Sequence, residues 1–359
     1  MSNMIGLIAA NYSAKALEEL TGPRAAAALA YGGRYNLIDF PLSNMTNSGI
    51  RTVGIITPYL YRALMNHIRS GKEWSLDRKN GGLSMLPGSI YGLKSTESKF
   101  TIRDIEQNLS FLMQETAPYV VVAGGDIVCN LDYGPILEEH IKSGADITMI
   151  YKNMESGYEG LSSLEVQDDG QILSIRNMSS EKTKFIDTFI IGREMLLMIV
   201  DWYANVSYFD ILDAINDNLT KMVVRGYEFK GYVGNISSVK AYYDCNRELL
   251  KESVRNELFM GDNKIITRIL DSVPTKYLKT AKVKNSLIPT GCIIKGTVEN
   301  SVLSRNVVVE ENTVVKNSII MEGAKIGAGA VIENAIIEEN VTIEPGVIMK
   351  GNPDAPIIK

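Results

Sequence analysis

The side chains that carry most metal, nucleophilic and acid–base chemistry are scarce in this chain. It has two histidines, His67 and His140, which leaves no room for a mechanism built on several His ligands. Its three cysteines, Cys129, Cys245 and Cys292, lie far apart and are odd in number. That spacing makes neither a zinc site nor a disulfide framework and points to a reducing, cytoplasmic setting. The chain has 37 Lys and Arg against 42 Asp and Glu, a formal net charge of −5 over 359 residues. No general attraction to nucleic acid or to an anionic membrane is expected from that balance. The opening Met1 to Ala10 lacks a basic segment, and its apolar run is too short for a signal peptide. No stretch reaches the roughly 20 apolar residues of a membrane span.

The elements that would position any site fall into two rhythms. The length predicts more than one domain. Residues 1–240 alternate short β-branched runs with helical patterns. Ile5–Ala10, Val53–Thr57, Tyr119–Ala123 and Asp146–Tyr151 read as buried strands. Leu60–Ser70, Ile105–Thr116 and Tyr133–Ser143 read as helices; the second would place Leu109, Leu112 and Met113 on one face, and Gly144 would cap the third. Such alternation predicts an α/β domain with a mostly parallel sheet, whose ligands sit at the carboxyl ends of the strands. Residues 241–279 read as a helix over Ala241–Val254 followed by a loop-like connection from Gly261 to Pro274.

Residues 280–359 have another period. Leu303, Val309, Val315, Ile320, Ile326, Ile332, Ile337 and Ile343 recur at steps of six, six, five, six, six, five and six. Three residues before each stands Asn300, Asn306, Asn312, Asn317, Gly323, Gly329, Asn334 or Asn340. Asn and Gly tolerate the left-handed backbone of a tight corner. A near-hexapeptide repeat of one aliphatic and one corner residue predicts a parallel β-helix. Antiparallel strands would not need a turn residue at a fixed offset. Hexapeptide β-helices often serve acyltransferases through a histidine base, and residues 280–359 contain no histidine. The expected role is packing against another domain or subunit.

Residues 31–57 run Tyr-Gly-Gly-Arg-Tyr-Asn-Leu-Ile-Asp-Phe-Pro-Leu-Ser-Asn-Met-Thr-Asn-Ser-Gly-Ile-Arg-Thr-Val-Gly-Ile-Ile-Thr. This closely resembles the F-G-G-K-Y-R-L-I-D-F-P-L-S-N-C-x-N-S-G-I segment of bacterial glucose-1-phosphate adenylyltransferase, the ADP-glucose pyrophosphorylase family. Ala123-Gly-Gly-Asp-Ile-Val-Cys-Asn-Leu-Asp-Tyr is similar to that family's A-G-D-x-I-Y-x-x-D-Y, and Val298–Leu303 and Ala330–Ile337 match as well. The resemblance spans nearly the whole chain. It implies a Rossmann-like nucleotidyltransferase domain followed by a left-handed parallel β-helix. Active members join glucose 1-phosphate to ATP with Mg²⁺, release pyrophosphate and so commit glucose to glycogen.

In-line attack on the α-phosphate needs a loop that cradles phosphate, cations for the developing charge and carboxylates for the metal. Against the family's G-G-x-G-T-R-L this chain has Asn11, Tyr12, Ser13, Ala14, Lys15, Ala16 and Leu17, with no glycine and with Ala16 in place of the arginine. Lys15, one position away, is the candidate substitute; the alternative is a plain surface lysine. Against R-A-K-P-A-V the chain keeps Arg24, but Ala26 replaces the lysine and Ala27 the proline. Asp126 matches the magnesium-binding aspartate, while Asn235 stands where the second carboxylate belongs, with Gly234 and Ser237 beside it. The sugar-phosphate E-K-P is replaced by Arg176-Asn-Met. Lys182 and Lys184, nearby, read as a solvated turn, and Phe100 replaces a glycine of the base-recognition stretch.

The resemblance therefore implies the family's non-catalytic, regulatory subunit: a kept scaffold with a degenerate site. Its expected partner is a catalytic glucose-1-phosphate adenylyltransferase subunit in a hetero-oligomer, a tetramer, with a homo-oligomer possible when the chain is alone. Catalytic residues are not expected; Ala16, Ala26 and Asn235 mark the degenerate positions. Lys15, Arg24 and Asp126 remain as vestigial nucleotide or metal contacts, with capping or positioning a loop as the structural alternative for Asp126; Mg²⁺ and ATP are the cofactors of active members. Two alternatives stay open. One is an active nucleotidyltransferase on another sugar phosphate, centred on Lys15 and Asp126. The other is a sensor that holds a nucleotide or sugar phosphate on Arg24, Arg34 and Arg51.

Overall fold

The computed structural model describes residues 3–12, 15–22, 24–57, 60–88, 99–154, 160–177, 181–204 and 210–359. Two compact units emerge. One comprises Met1–Ala28, Leu37–Ser237 and Gly261–Ile266; the other comprises Leu29–Asn36, Ser238–Met260 and Thr267–Lys359. The units thus run differently from a 1–240, 241–279, 280–359 division. The segment 238–260 groups with the β-helix, and 261–266 with the α/β unit.

The α/β unit is built on a nine-stranded sheet. Its centre is parallel: Met4–Ala9 lies between Thr52–Thr57 and Tyr119–Gly124, and Gly82–Pro87 follows outside Thr52–Thr57. Thr183–Gly192 runs antiparallel to Tyr119–Gly124 and to Ile147–Asn153, and Val224–Glu228 pairs in parallel with Ile147–Asn153. Successive residues of the first strand feed opposite faces, as the period of two requires. Met4 and Ile8 join one core cluster with Val53, Ile55 and Val121, while Ile5, Leu7 and Ala9 join the other with Val120 and Val122. A sheet covered on both sides explains why these strands read as near-continuous apolar runs.

The helix Tyr133–Ser143 ends as its sequence indicates. Gly144 takes a left-handed φ of 62°, and Asp132 caps the start by accepting from the Gly134 N–H. The helix expected over Ile105–Thr116 is instead two short ones, Ile102–Gln107 and Leu109–Met113. The break is at Asn108, whose amide side chain donates to the Pro87 and Asp104 carbonyls and so competes with helix continuation. Leu112 is buried, but Met113 is 69% exposed, so the three expected apolar positions do not share one buried face.

The second unit is a left-handed parallel β-helix with three parallel sheets of five, five and four strands. Successive coils stack in register: Ile294, Val309, Ile326 and Ile343 form one column, and Val298, Val315, Ile332 and Met349 another. All eight inward aliphatic residues expected from the period are in its core. All eight corner residues have positive φ, from 47° at Asn300 to 73° at Gly323. The corners thus use the residues that pay least for left-handed backbone. A serine ladder stitches neighbouring coils, with the Ser301 N–H donating to Ser286 Oγ, Ser318 N–H to Ser301 Oγ and Ala335 N–H to Ser318 Oγ.

Helix Val239–Glu248 belongs to the same unit. Tyr242 Oη donates to the Ala30 carbonyl at 2.6 Å, and Tyr243 Oη donates to the Asn317 carbonyl. Gly32 and Gly33 turn the chain between Ala30–Tyr31 and Tyr35–Asn36. At Gly33, with φ of 80°, a Cβ would lie 2.2 Å from the Leu303 carbonyl oxygen. The glycine pair is therefore required by a turn and a close backbone approach.

Candidate functional site

The site is assembled where the central strands of the α/β unit end. Strand Tyr119–Gly124 runs out into Gly125 and Asp126, and the Gly125 N–H donates to the Ala9 carbonyl at 3.0 Å. A Cβ at Gly125 would meet Ala27 Cβ at 3.1 Å and Ala9 O at 3.2 Å, so the strand ends are tightly apposed. Past Asp126, Ile127–Val128 pairs antiparallel with Gly234–Asn235, and Asn235 sits opposite Ile127. The structure thus places Asn235 on the strand opposite the residue after Asp126; Asn235 and Asp126 are 3% and 4% exposed.

Helix Asp39–Asn47 braces this region. Asn44 Nδ2 donates to the Cys129 carbonyl, and Asn44 Oδ1 accepts from the Leu131 N–H, both at 3.1 Å. Ser48 Oγ accepts from the Tyr133 N–H, and Ser43 Oγ from the Ile266 N–H. Asp39 is fully buried and bonds His67 Nε2 at 2.6 Å. Arg51 donates to the Thr46 carbonyl at the helix end. The Leu-Ile-Asp-Phe-Pro-Leu-Ser-Asn stretch therefore acts as a bracket that fixes the loop after Asp126.

The decisive feature is a lysine that sequence reasoning passed over. Lys99 Nζ lies 2.8 Å from Asp126 Oδ2 and 2.5 Å from Asp187 Oδ2. All three side chains are nearly buried, at 11%, 6% and 5% exposed. The Tyr12 ring covers the ammonium at 4.9 Å to its centroid. Burial alone would push the Lys99 pKa down, but the two carboxylates beside it outweigh that and hold it above its ordinary value. Burial pushes the Asp187 carboxyl up, to about 6; the Lys99 ammonium opposes this and the Asp126 charge adds to it. Asp187 has a φ of 49° and lies in the register break of strand Thr183–Gly192 between Phe185 and Phe189. That break aims a carboxylate out of an otherwise apolar strand.

The remaining sequence candidates separate. Lys15 and Ala16 are exposed in a 3₁₀ turn; Ser13 and Ala14 of the same segment lie outside the described residues. Asn11 donates through Nδ2 to Asp104. Arg24 is 7% exposed, and Ala26–Ala28 form a buried 3₁₀ turn with Ala26 at 1%. Phe100 is buried edge-on against Phe189, with ring centroids 5.8 Å apart, and its N–H donates to Asp210 Oδ2. Lys182 is exposed, as a solvated turn would have it. Lys184 is not: it is buried and donates to Ser163 Oγ at 2.8 Å, because strand Thr183–Gly192 starts before it and turns it inward. Burial lowers its pKa.

Asp126 carries the kind of oxygen donor that Mg²⁺ takes, but its surroundings do not fit the ion. The position from which a metal would approach Asp126 Oδ2 is taken by the Lys99 ammonium, which also neutralises Asp187. Among the described residues no group of three or more His, Cys, Asp or Glu could hold a metal ion. The Tyr12 ring stands over the same ammonium, in the segment that would have to cradle phosphate.

Comparison with known proteins decides the family. The nucleotidyl transferase family model matches residues 6–177, and the GlmU-like C-terminal hexapeptide model matches 272–355. The chain is 33% identical over 312 residues to the glycogen biosynthesis protein GlgD of Bacillus subtilis, covering 87% of this chain and 82% of the relative. It is 36% identical over 308 residues to GlgD of Geobacillus stearothermophilus, covering 86% and 81%. It is 32% identical over 326 residues to glucose-1-phosphate adenylyltransferase of Halalkalibacterium halodurans, covering 86% and 83%. The chain belongs to the glucose-1-phosphate adenylyltransferase family. At its sheet end an ammonium lies between two carboxylates, with an aromatic ring over it. No helix among its described residues is long and apolar enough to cross a membrane.

Proposed function

We propose that this chain is a regulatory, catalytically degenerate subunit of glucose-1-phosphate adenylyltransferase in glycogen biosynthesis. It acts in the cytoplasm by assembling with a catalytic subunit, in a heterotetramer, and tuning the conversion of ATP and glucose 1-phosphate to ADP-glucose and pyrophosphate. The single observation that carries this reading is the Lys99 ammonium bonded to Asp126 and Asp187, where a metal-dependent site needs open carboxylates. The changed residues around it point the same way. Ala26 is buried without charge, Asn235 replaces a carboxylate, and Phe100 fills its place against Phe189. The β-helix, by contrast, is complete in its core and its corners, which supports a role in assembly. The relatives named GlgD support placing the chain in glycogen biosynthesis.

Co-expression with a tagged catalytic subunit from the same source tests the reading. The two chains are expected to co-purify in a fixed ratio through affinity and size-exclusion steps. Recovery of the catalytic subunit as a pure homo-oligomer, with this chain in the flow-through, would sink it.

A further inference from the structure

We propose that the Lys99 ammonium is a resident cation, built into the fold, that closes the Asp126–Asp187 carboxylate pair to divalent metal. This stands whether or not the chain joins a catalytic subunit.

Two carboxylates converging on one point form the kind of oxygen-rich pocket that hard divalent cations take. Here that point is filled from within. Nζ contacts one oxygen of each carboxylate at hydrogen-bond distance, so a metal bonded to either oxygen would lie against a positive charge. The ammonium cannot readily swing aside. The next residue, Phe100, is buried against Phe189 and tied through its N–H to Asp210, while the Tyr12 ring closes over the charge. On the acceptor side Asp187 is fixed by its left-handed backbone. Gly124 admits both carboxylates: a Cβ there would meet Asp126 Oδ1 at 3.1 Å and Asp187 Cβ at 3.3 Å. A tethered monovalent cation has no association entropy to overcome, so it competes with a free ion on favourable terms. The consequence is a cleft that excludes divalent cations and any phosphate ligand delivered as a metal chelate.

Mn²⁺ binding to the full-length chain, read by the loss of the free-ion EPR signal, tests this directly. Wild type and Lys99→Arg should show no saturable site. Lys99→Met, which keeps the side-chain length and removes the charge, should acquire one site at least about tenfold tighter than any residual wild-type binding. That site should vanish in Lys99→Met/Asp126→Asn. The melting temperature of Lys99→Met, and not of wild type, should rise with added Mn²⁺. A saturable wild-type site that Asp126→Asn removes overturns the proposal. So does a folded Lys99→Met chain that binds no more Mn²⁺ than wild type. Should Lys99→Met not fold, the wild-type and Asp126→Asn measurements still decide. Metal binding by the wild type would remove the Lys99 argument for a degenerate site but leave assembly to its own co-purification test, and failure to assemble would leave the role of Lys99 untouched, so the two failures are distinguishable.

Discussion

The β-helix and the end of the α/β sheet obey opposite rules. In the β-helix each position holds the residue its geometry asks for: aliphatic inward, Asn or Gly where φ is positive, serine where a ladder of hydroxyls can form. At the sheet end the side chains that meet fill space and cancel charge. Lys99 sits between the carboxylates, Tyr12 stands over it, Ala26 is buried and Phe100 packs on Phe189. The difference teaches that the two regions are held by different forces: packing and backbone geometry in the β-helix, and buried opposite charges that satisfy one another at the sheet end.

The largest effects should come from attacking the region that depends on packing alone. Ile326→Asp puts an unpaired carboxylate into the β-helix core and should cost at least about 4 kcal/mol. Urea denaturation followed by circular dichroism should show it largely unfolded; a native-like curve would mean the core is looser than its burial implies.

The sheet end should be nearly as sensitive, for an electrostatic reason. Lys99→Met leaves two buried carboxylates uncompensated and should cost about 3–5 kcal/mol. Adding Asp187→Asn should recover part of that loss, and a double-mutant cycle would quantify the coupling. The same cluster has a pH signature. Folding raises the Asp187 pKa from 3.8 to about 6. The native state therefore holds this proton more tightly than the unfolded chain, so its contribution is full below 3.8 and is lost as pH rises through about 6. Asp187→Asn keeps a residue tolerant of positive φ and should gain on wild type as pH is raised across that window. Parallel stability curves for the two proteins would contradict the assignment.

Restoring chemistry one residue at a time should fail in a position-dependent way. Ala26→Lys forces a long charged side chain into a filled, buried turn and should cost about 2–3 kcal/mol. Ala16→Arg, in an exposed turn, should change stability by no more than about 0.5 kcal/mol. Neither should confer ADP-glucose formation, read by a coupled pyrophosphate assay. The corners fall between these two. Asn312→Ala, at φ of 59°, should cost about 1–2 kcal/mol, and Asn312→Gly close to nothing.

Much of this contrast is legible in the sequence, though unevenly. The β-helix can be read almost residue by residue, because its signal is a period repeated along the chain and each corner enforces the same backbone. The strands of the sheet centre are legible because burial on both faces writes unbroken apolar runs. The helix break at Asn108 is not, since it depends on a side-chain amide reaching the Pro87 carbonyl. Asp126, Asn235 and the missing glycines can be aligned with family motifs. The Lys99–Asp126–Asp187 cluster cannot, because its members are 27 and 88 residues apart from Lys99 and meet only in the fold. One signal was available: Asp187 interrupts the apolar run Phe185-Ile-Asp-Thr-Phe-Ile-Ile, and a carboxylate in a buried strand demands a cation. Lys184 in the same strand carried the matching hint that this was not a solvated turn.

The measurement that bears most directly on the central claim is ADP-glucose formation from ATP and glucose 1-phosphate with Mg²⁺, by the purified chain alone and then mixed with a catalytic glucose-1-phosphate adenylyltransferase subunit as the proposed partner. The account predicts no turnover above background alone, and a changed rate or effector response of the partner on mixing. Turnover by the chain alone that Asp126→Asn abolishes, or a partner indifferent to its presence, would contradict it.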